Sequence, residues 1–345
     1  MHKHQYIKTL DGWRALAVIA VILSHLKDSV LSPESRLFNI FSAGINGVDL
    51  FFAISGYLIA SNLFKELDRD ETVNFKRFYL KRFFRLMPAS WCYLLVIFLM
   101  TPSLITVLPI EFISTLTFWR NYLIMDHSYT GQFWSLMVEE HFYFFLPFFL
   151  FSVREPKKIL ISIVGIGITV ALWRKLGTMP SVVEAFPPIE YTMWNTFGRF
   201  DTLLYGVLLA TIQRYFPKWD NVLRKIPFFA PIVALLCLFL VKIPFKPTFE
   251  AILYPLIIYS TICHSEGWFG RFLENPLFRF IGKISYSLYL WQQLFVAPFP
   301  RGPEWFRALG GEWHSIGVIF VVATISYYLI EDPFRKLGQK WSSHA

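Results

Sequence analysis

Charged side chains are scarce in this chain. They make up 17% of its 345 residues, whereas soluble domains average about 25%. Hydrophobic residues make up 55%, and 37 Phe and 12 Trp are among them. This balance argues against an ordinary soluble domain and favours a chain built for lipid.

Cysteine is equally rare, and the three that occur, Cys92, Cys237 and Cys263, all lie in apolar segments. Their spacing fits neither a disulfide framework nor a zinc site. We interpret them as packing residues and predict no metal centre and no redox role.

Apolar runs recur from one end of the chain to the other, and they are continuous rather than alternating. In lipid only helices and closed barrels satisfy the backbone, and barrel strands alternate apolar with polar residues. The sequence therefore predicts an all-α polytopic membrane protein, with one integral-membrane domain over residues 1–345. Since about 20 apolar residues cross the hydrocarbon core, we place ten spans near residues 12–30, 47–63, 89–107, 134–152, 159–175, 198–213, 227–242, 248–264, 284–300 and 314–331. The stretch 110–125 is shorter and more polar, and we predict a re-entrant or interfacial segment there.

The distribution of positive charge supports this topology. With both termini cytoplasmic, 23 of the 33 Lys and Arg residues fall in inner segments and ten in outer ones, as the positive-inside rule requires. The net charge of +9 is then a topology signal and does not indicate nucleic-acid binding. Lys3 and Lys8 precede the first apolar run, but no small-residue cleavage site follows it, so we expect a mature helix rather than a signal peptide.

The first predicted span contains an ionisable pair, Arg14 and His25. Eleven helical residues turn through about 1,100°, close to three full turns, so both side chains share one face about 16 Å apart along the axis. This places Arg14 near the inner surface and His25 beyond the midplane. A lone histidine in an apolar helix is most often a hydrogen-bonded packing residue, and only its neighbours can favour a functional role.

Carboxylates occur at the predicted depth of His25. Asp49 lies in GVDLFFAISGYLIA and Glu139, beside Glu140, lies in FWSLMVEEHFYFFLP, both at the outer start of a span. Buried carboxylates in membrane segments are costly and usually face a partner or a wet cavity. One cluster can therefore hold His25 as a base together with an orienting acid. The alternative for each carboxylate is a charge matched to the dipole at a helix N-terminus.

The densest positive charge lies on the predicted inner face, in FKRFYLKRFFRLMPASW, just before the third span. Attraction to anionic lipids of the inner leaflet accounts for such a cluster. The sharper interpretation is a phosphate clamp for a cytoplasmic donor, since a guanidinium binds phosphate in a bidentate manner.

Seven segments, in order along nearly the whole chain, resemble the membrane acyltransferase 3 family. They are LDGWRALAVIAVILSHL, GVDLFFAISGYLI, FYLKRFFRLMPASW, FWSLMVEEHFYFFLP, RFDTLLYGVLLA, IGKISYSLYLW and YYLIEDPFRK. The resemblance implies transfer of acyl groups from cytoplasmic acyl-coenzyme A to cell-surface sugars or other extracytoplasmic acceptors. It also implies a multi-pass protein of a bacterial inner membrane.

The resemblance implies roles for individual residues as well. Catalytic importance carries over to Arg14 and His25, and catalytic or structural roles to Asp49 and Glu139. Donor binding carries over to the basic residues Lys81, Arg82 and Arg85. Weaker substrate-binding roles carry over to Arg199, Tyr286 and Glu331.

The chain departs from the family pattern at two places. Gln292 stands after SYSLYLW, where the family commonly has a histidine, and this puts a proton-transfer or ligand-contact role of the position in question. Many family members also carry a soluble hydrolase-like domain after the last helix, whereas this sequence continues for about 14 residues past Glu331. We expect the membrane domain to act alone or with a separate periplasmic transferase.

Our leading hypothesis is an O-acetyltransferase in which His25 is the general base for an acceptor hydroxyl and acetyl-coenzyme A is a substrate rather than a bound cofactor. No G-x-S-x-G elbow occurs, which favours direct transfer over an acyl-enzyme, although an acyl-His25 intermediate stays open. The alternatives are a secondary transporter of a sugar or organic anion and an inactive scaffold. The acceptor is left open among lipopolysaccharide O-antigen, capsule, exopolysaccharide and lipid-linked sugars.

Overall fold

The computed structural model describes residues 6–100, 109–123, 129–186, 194–296 and 304–343. Regular secondary structure in these stretches is helical throughout, which confirms the predicted all-α class. In chain order the helices are α1 (Thr9–Val30), α2 (Arg36–Ser42), α3 (Gly47–Asp70), α4 (Phe75–Met100), α5 (Pro109–Leu116), α6 (Phe133–Val153), α7 (Pro156–Leu176), α8 (Pro180–Ala185), α9 (Thr196–Tyr215), α10 (Pro217–Arg224), α11 (Phe229–Leu240), α12 (Lys246–Cys263), α13 (Trp268–Leu273), α14 (Pro276–Lys283), α15 (Ser285–Trp291), α16 (Glu304–Arg307), α17 (Ser315–Ser326) and α18 (Asp332–Ser342). Short 3₁₀ turns cover Ala43–Asn46, Arg120–Tyr122 and Gln292–Leu294, and a π-helical turn covers Tyr327–Glu331.

Within the described residues, six helical stretches are long and apolar enough to cross a membrane. They are Thr9–Val30, Arg36–Asp70, Phe75–Met100, Phe133–Val153, Pro156–Leu176 and Ser315–Ser342. The number becomes seven if α10 and α11, which meet at an angle of 74°, form one broken span. The structure therefore supports a membrane protein, while the count of ten spans and the cytoplasmic termini stay predictions.

The gap between ten and six has a physical origin, because the other predicted spans coincide with short or polar helices. The helix α11 has 12 residues and is about 18 Å long, well short of about 30 Å of hydrocarbon. The helix α9 has 20 residues, but charged side chains occupy its first turns. The helix α15 ends after seven residues in the 3₁₀ turn at Gln292. In the stretch 110–125, α5 has only eight residues, too few to span.

The chain divides into two compact units, each assembled from separate stretches of sequence. Unit 1 contains Met1–Trp13, Asp49–Val73 and Trp134–Arg279. Unit 2 contains Arg14–Val48, Asn74–Phe133 and Phe280–Ala345. The single domain over residues 1–345 stays a prediction.

In unit 1, α9 packs against α7, α12 and α3. A Cβ atom on Gly56 of α3 would collide with the carbonyl of Leu203, and one on Gly206 of α9 would collide with the carbonyl of Ala53. Small residues of this kind let two helix backbones approach closely. The close crossing brings the first turns of α3 and α9 to the same end of unit 1, where the polar side chains described below meet.

In unit 2, α4 packs along α18, and α15 packs against α17. The Gly338 backbone of α18 lies against Phe84, whose ring is 5.3 Å from that of Trp341. Elsewhere in the unit, Gly44 and Gly47 lie against backbone carbonyls of α1. These contacts hold α1 and α4, the two helices that carry the predicted base and the predicted phosphate clamp.

Candidate active site

His25 lies in the part of α1 that belongs to unit 2, and its neighbour is Gln292. The distance from His25 Nδ1 to Gln292 Oε1 is 3.4 Å, and Gln292 is fully buried. When Nδ1 carries the proton and donates it to the amide oxygen, the other ring nitrogen keeps its lone pair and can act as a base. The position at which the sequence departs from the family pattern therefore contacts the predicted base.

Asp49, in the first turn of α3, is bound by groups of α9 in unit 1. Its Oδ1 accepts hydrogen bonds from Arg199 Nη2 at 2.8 Å and from Thr202 Oγ1 at 3.3 Å. The side chains of Asp49 and Arg199 are 7% and 12% exposed. A buried carboxylate needs such partners, because desolvation of an unpaired charge costs several kcal/mol. The structure gives Asp49 an ion-pair partner in addition to the helix dipole.

Both carboxylate oxygens of Glu139 in α6 accept hydrogen bonds inside unit 1. Its Oε1 accepts from Ser55 Oγ at 2.9 Å and its Oε2 accepts from Tyr143 OH at 2.8 Å. His25 belongs to unit 2, whereas Asp49 and Glu139 belong to unit 1. The common cluster of these three side chains therefore stays a prediction.

Arg199 is surrounded by aromatic rings of unit 1. Its guanidinium carbon is 5.6 Å from the ring centroid of Trp134 and 5.9 Å from that of Phe52, within the range of cation–π attraction. Trp134 in turn meets Trp194 edge to face at 5.0 Å, and Trp194 is 46% exposed. Among the described residues, the buried Nε of Arg199 has no hydrogen-bond partner.

One arginine of the predicted phosphate clamp, Arg85, interacts with Glu331 in unit 2. Glu331, the last residue of the π-helical turn, is buried and accepts from Ser287 Oγ at 2.7 Å. The positive charge of Arg85 on α4 acts on the Glu331 carboxylate. The next residue, Asp332, binds Arg335 and is 2.7 Å from Lys336 Nζ. The N-terminal half of α4 and the π-helical turn before α18 therefore share one region of mixed charge.

Tyr286 fastens α15 to α4 in the same unit. Its hydroxyl donates to the carbonyl of Leu86 at 2.8 Å and is 2.7 Å from Ser90 Oγ, which can donate to it. The two contacts bracket Pro88, a residue that interrupts the hydrogen-bond ladder of a helix. The structure thus gives Tyr286 a positioning role, and a substrate contact stays a prediction.

The remaining predicted residues lie on the same two helices of unit 2. Arg14 is half-buried in α1, and Lys81 is exposed on α4. Arg82 is half-buried, with its guanidinium carbon 5.8 Å from the ring centroid of Phe78.

Unit 1 contains a buried ion pair that is not among the residues predicted from the sequence. Arg174, in the last turn of α7, binds Asp201 of α9 through both Nη atoms, at 2.9 and 2.6 Å, and also donates to Thr248 Oγ1 at 2.8 Å. The Asp201 side chain is fully buried and that of Arg174 is 7% exposed. The available signal is the pair of opposite charges at the facing ends of two consecutive predicted spans.

Chemically, these groups suit proton transfer and anion binding. Within the described residues, no three His, Cys, Asp or Glu side chains are arranged to hold a metal ion. A histidine with one nitrogen oriented by an amide is a suitable general base. Two guanidinium groups three residues apart on one helix, such as those of Arg82 and Arg85, suit phosphate recognition.

Comparison with known proteins identifies the family of this chain. A profile of the acyltransferase domain matches residues 7–332. A Staphylococcus aureus (strain COL) protein, provisionally named an O-acetyltransferase, is 31% identical over 98% of this chain and 59% of its own length. Peptidoglycan O-acetyltransferase OatA of Listeria monocytogenes is 29% identical over 98% of this chain and 57% of its own length. This chain thus spans less than two thirds of the length of these relatives, and no solved structure matches it. Since the acyltransferase profile covers nearly the whole chain, the protein belongs to the acyltransferase 3 family.

Proposed function

We propose that this protein is an O-acetyltransferase of a bacterial inner membrane, which moves an acetyl group from cytoplasmic acetyl-coenzyme A to a hydroxyl of an extracytoplasmic glycan. The match of the acyltransferase domain over residues 7–332 carries this proposal. Because one relative is named as a peptidoglycan O-acetyltransferase, peptidoglycan is the first acceptor to test. The supporting geometry is the contact between His25 and Gln292.

In the proposed reaction His25 removes the proton of the acceptor hydroxyl. The hydroxyl oxygen attacks the thioester carbonyl carbon, and the carbonyl oxygen takes the negative charge of the tetrahedral intermediate. As this intermediate collapses, the carbon–sulfur bond breaks and the imidazolium returns its proton to the thiolate. The products are the O-acetyl ester and coenzyme A, and the enzyme regains its starting protonation state.

We assign donor binding to Lys81, Arg82 and Arg85 of α4. Coenzyme A carries three phosphate groups, and arginine matches phosphate with two parallel hydrogen bonds. Glu331, which accepts a hydrogen bond from Ser287, interacts electrostatically with Arg85 and would orient its side chain. In the predicted topology this end of α4 faces the cytoplasm, where acetyl-coenzyme A is made available.

We assign acceptor binding to Arg199 and the indole rings beside it. Sugar rings stack on tryptophan through their C–H faces and offer hydroxyl groups as acceptors. The Arg199 Nε–H, buried without a described partner, would meet such a hydroxyl, and the partly exposed Trp194 would flank the ring. The predicted topology places the first turns of α3, α6 and α9 on the outer face.

The sidedness of this reaction tests the proposed function. In sealed vesicles of known orientation, labelled acetyl-coenzyme A on the cytoplasmic side should esterify a peptidoglycan oligosaccharide that is confined to the other compartment. The reason is the predicted depth of His25, about 16 Å along α1 from Arg14. The measurement is labelled ester in the lumen, with the His25→Ala variant as the negative control.

Two results would overturn the proposed function. Ester formed only when both substrates share the cytoplasmic compartment would place the reaction on the wrong side. Unreacted label accumulating in the lumen, without any ester, would favour the transporter.

Donor recognition gives a second prediction. The double variant Arg82→Ala, Arg85→Ala should bind coenzyme A at least about a hundredfold more weakly, because two charge-assisted contacts of about 1.5–3 kcal/mol each are lost. The double variant with Lys at both positions should recover only part of the affinity, since a point charge lacks the bidentate fork. Calorimetry in detergent measures both.

The matched control removes two positive charges elsewhere on the predicted inner face. Arg154 follows α6 and Lys157 lies in the first turn of α7; both are exposed, and replacing both with Ala should leave the affinity unchanged. An equal loss of coenzyme A affinity in both double variants would show that the α4 cluster contributes only general electrostatic attraction.

A further inference from the structure

Only one of the two polar atoms of the buried Gln292 amide has a hydrogen-bond partner among the described residues. Its Oε1 lies 3.4 Å from His25 Nδ1, whereas its Nε2 is buried and has no hydrogen-bond partner among the described residues. An unmade hydrogen bond of a buried group costs about 1–3 kcal/mol, so native proteins seldom leave one without a reason. The amide nitrogen shares a carbon atom with Oε1 and is therefore only a few ångströms from the imidazole ring.

The segment that carries Gln292 is attached to α1 at two points. Besides the contact between His25 and Gln292, Ser29 Oγ donates to the Val296 carbonyl at 3.3 Å. Ser29 follows His25 by four residues, as Val296 follows Gln292. Val296 N–H donates to the Gln292 carbonyl at 3.0 Å, which closes the turn. Two rungs of this kind fix the register between α1 and the turn.

The residues before Gln292 are held from another direction. Gln132 Nε2 donates to the carbonyl of Leu290 at 3.1 Å, and Tyr289 OH donates to the carbonyl of Gln132 at 3.1 Å. Gln292 is thus braced on both sides, and its side chain has little freedom to move away from His25. A catalytic group must be held to within about 0.5 Å, and such bracing serves that need.

The charges around His25 are balanced. The charged groups described as acting on it are Lys27 and Asp28 of α1 itself, and these two form an ion pair at 2.9 Å. The segment packed against His25 contributes the neutral amide of Gln292. A neutral acceptor orients the ring but does not stabilise its doubly protonated form. The imidazole of His25 therefore stays a neutral base at neutral pH.

From this arrangement we infer that Gln292 is a catalytic residue that orients His25 through its Oε1 and stabilises the oxyanion of the tetrahedral intermediate through its Nε2–H. This inference rests on the proposed function. The Gln292 oxygen accepts the Nδ1 proton, so the other His25 nitrogen takes the proton of the acceptor hydroxyl. The Gln292 nitrogen donates to the carbonyl oxygen as that atom gains charge. The buried donor without a partner thereby finds one in the substrate.

Three substitutions at this position test the inference on the full-length purified protein. Gln292→Leu removes both roles and should lower kcat about 10²- to 10³-fold, as loss of one oxyanion donor does, with the KM for acetyl-coenzyme A changed less than about threefold. Gln292→Glu keeps the shape but adds a negative charge that favours the imidazolium. The acidic limb of its pH–rate profile should move to higher pH by about one unit. Gln292→His, which keeps one donor and one acceptor, should be more active than the Leu variant.

A matched control separates these effects from general destabilisation. Gln213 of unit 1 accepts a hydrogen bond from Tyr57 OH at 2.7 Å, and Gln213→Leu should leave kcat and the acidic limb unchanged. Thermal unfolding midpoints of all variants show which of them are folded.

The possible failures are distinguishable. If the wild-type protein transfers no acetyl group to any glycan, the proposed function fails. If the wild type is active and folded Gln292→Leu keeps more than about a third of kcat, the inference about Gln292 fails alone. An acidic limb that stays in place in an active, folded Gln292→Glu variant would also overturn it.

Discussion

Purified His25→Ala protein is expected to transfer acetyl groups about 10²- to 10⁴-fold more slowly than the wild type, the range that general-base catalysis contributes. The loss should appear in kcat, because the predicted donor-binding groups lie on α4 and are left intact. His25 is half-buried at one end of a packed helix, so its truncation removes a base without removing a core residue. Steady-state transfer to a peptidoglycan oligosaccharide, together with calorimetric binding of coenzyme A, measures both parts of this expectation.

A second histidine provides the control. His264, at the C-terminal end of α12, is also half-buried, and its Nδ1 contacts the Ser260 carbonyl of the same helix at 2.8 Å. His264→Ala should transfer acetyl groups at the wild-type rate. A folded His25→Ala protein with near-normal turnover would remove His25 from the mechanism.

Asp201→Asn is expected to destabilise the protein by about 3–5 kcal/mol, the usual penalty for leaving one partner of a buried ion pair uncompensated. Asp201 is fully buried and receives both Nη atoms of Arg174, so the substitution strands a guanidinium in the interior of unit 1. Thermal unfolding in detergent should show a midpoint lower by about 10 °C.

Two further variants test the cause of this loss. Asp68 and Arg214 form an ion pair at the same short distance, 2.6 Å, but with side chains 31% and 49% exposed. Asp68→Asn should therefore cost less than about 1 kcal/mol. The neutral double variant Arg174→Gln, Asp201→Asn should recover at least half of the loss, because no unpaired charge is left. Equal midpoints for the single and double variants would show that the buried charge is not the cause.

Local features of this fold were readable from the sequence because helix formation depends on near neighbours. The apolar runs predicted where helices lie, and each predicted span coincides with at least part of a helix wherever the structure describes it. The common helix of Arg14 and His25 followed from the 3.6-residue period alone. The short α5 agrees with the prediction that the stretch 110–125 does not span.

Contacts between distant residues were not readable in this way. His25 and Gln292 are 267 residues apart, and nothing in either segment predicts that their side chains meet. The length of α11 was also missed, since hydropathy does not reveal that the helix ends at Leu240. The partners of Asp49 and Glu139 depend on how α3, α6 and α9 pack, which one sequence does not specify.

The pairing of Arg174 with Asp201 has a consequence for biogenesis. Arg174 is synthesised 27 residues before its partner. At about 5–20 residues per second, the ribosome needs about 1–5 s to supply Asp201 after Arg174 has been made. During that interval α7 carries an unneutralised guanidinium, which disfavours its release from the translocon into lipid. We expect α7 to wait beside the translocon and to enter the bilayer together with α9, as a hairpin whose charges are already paired.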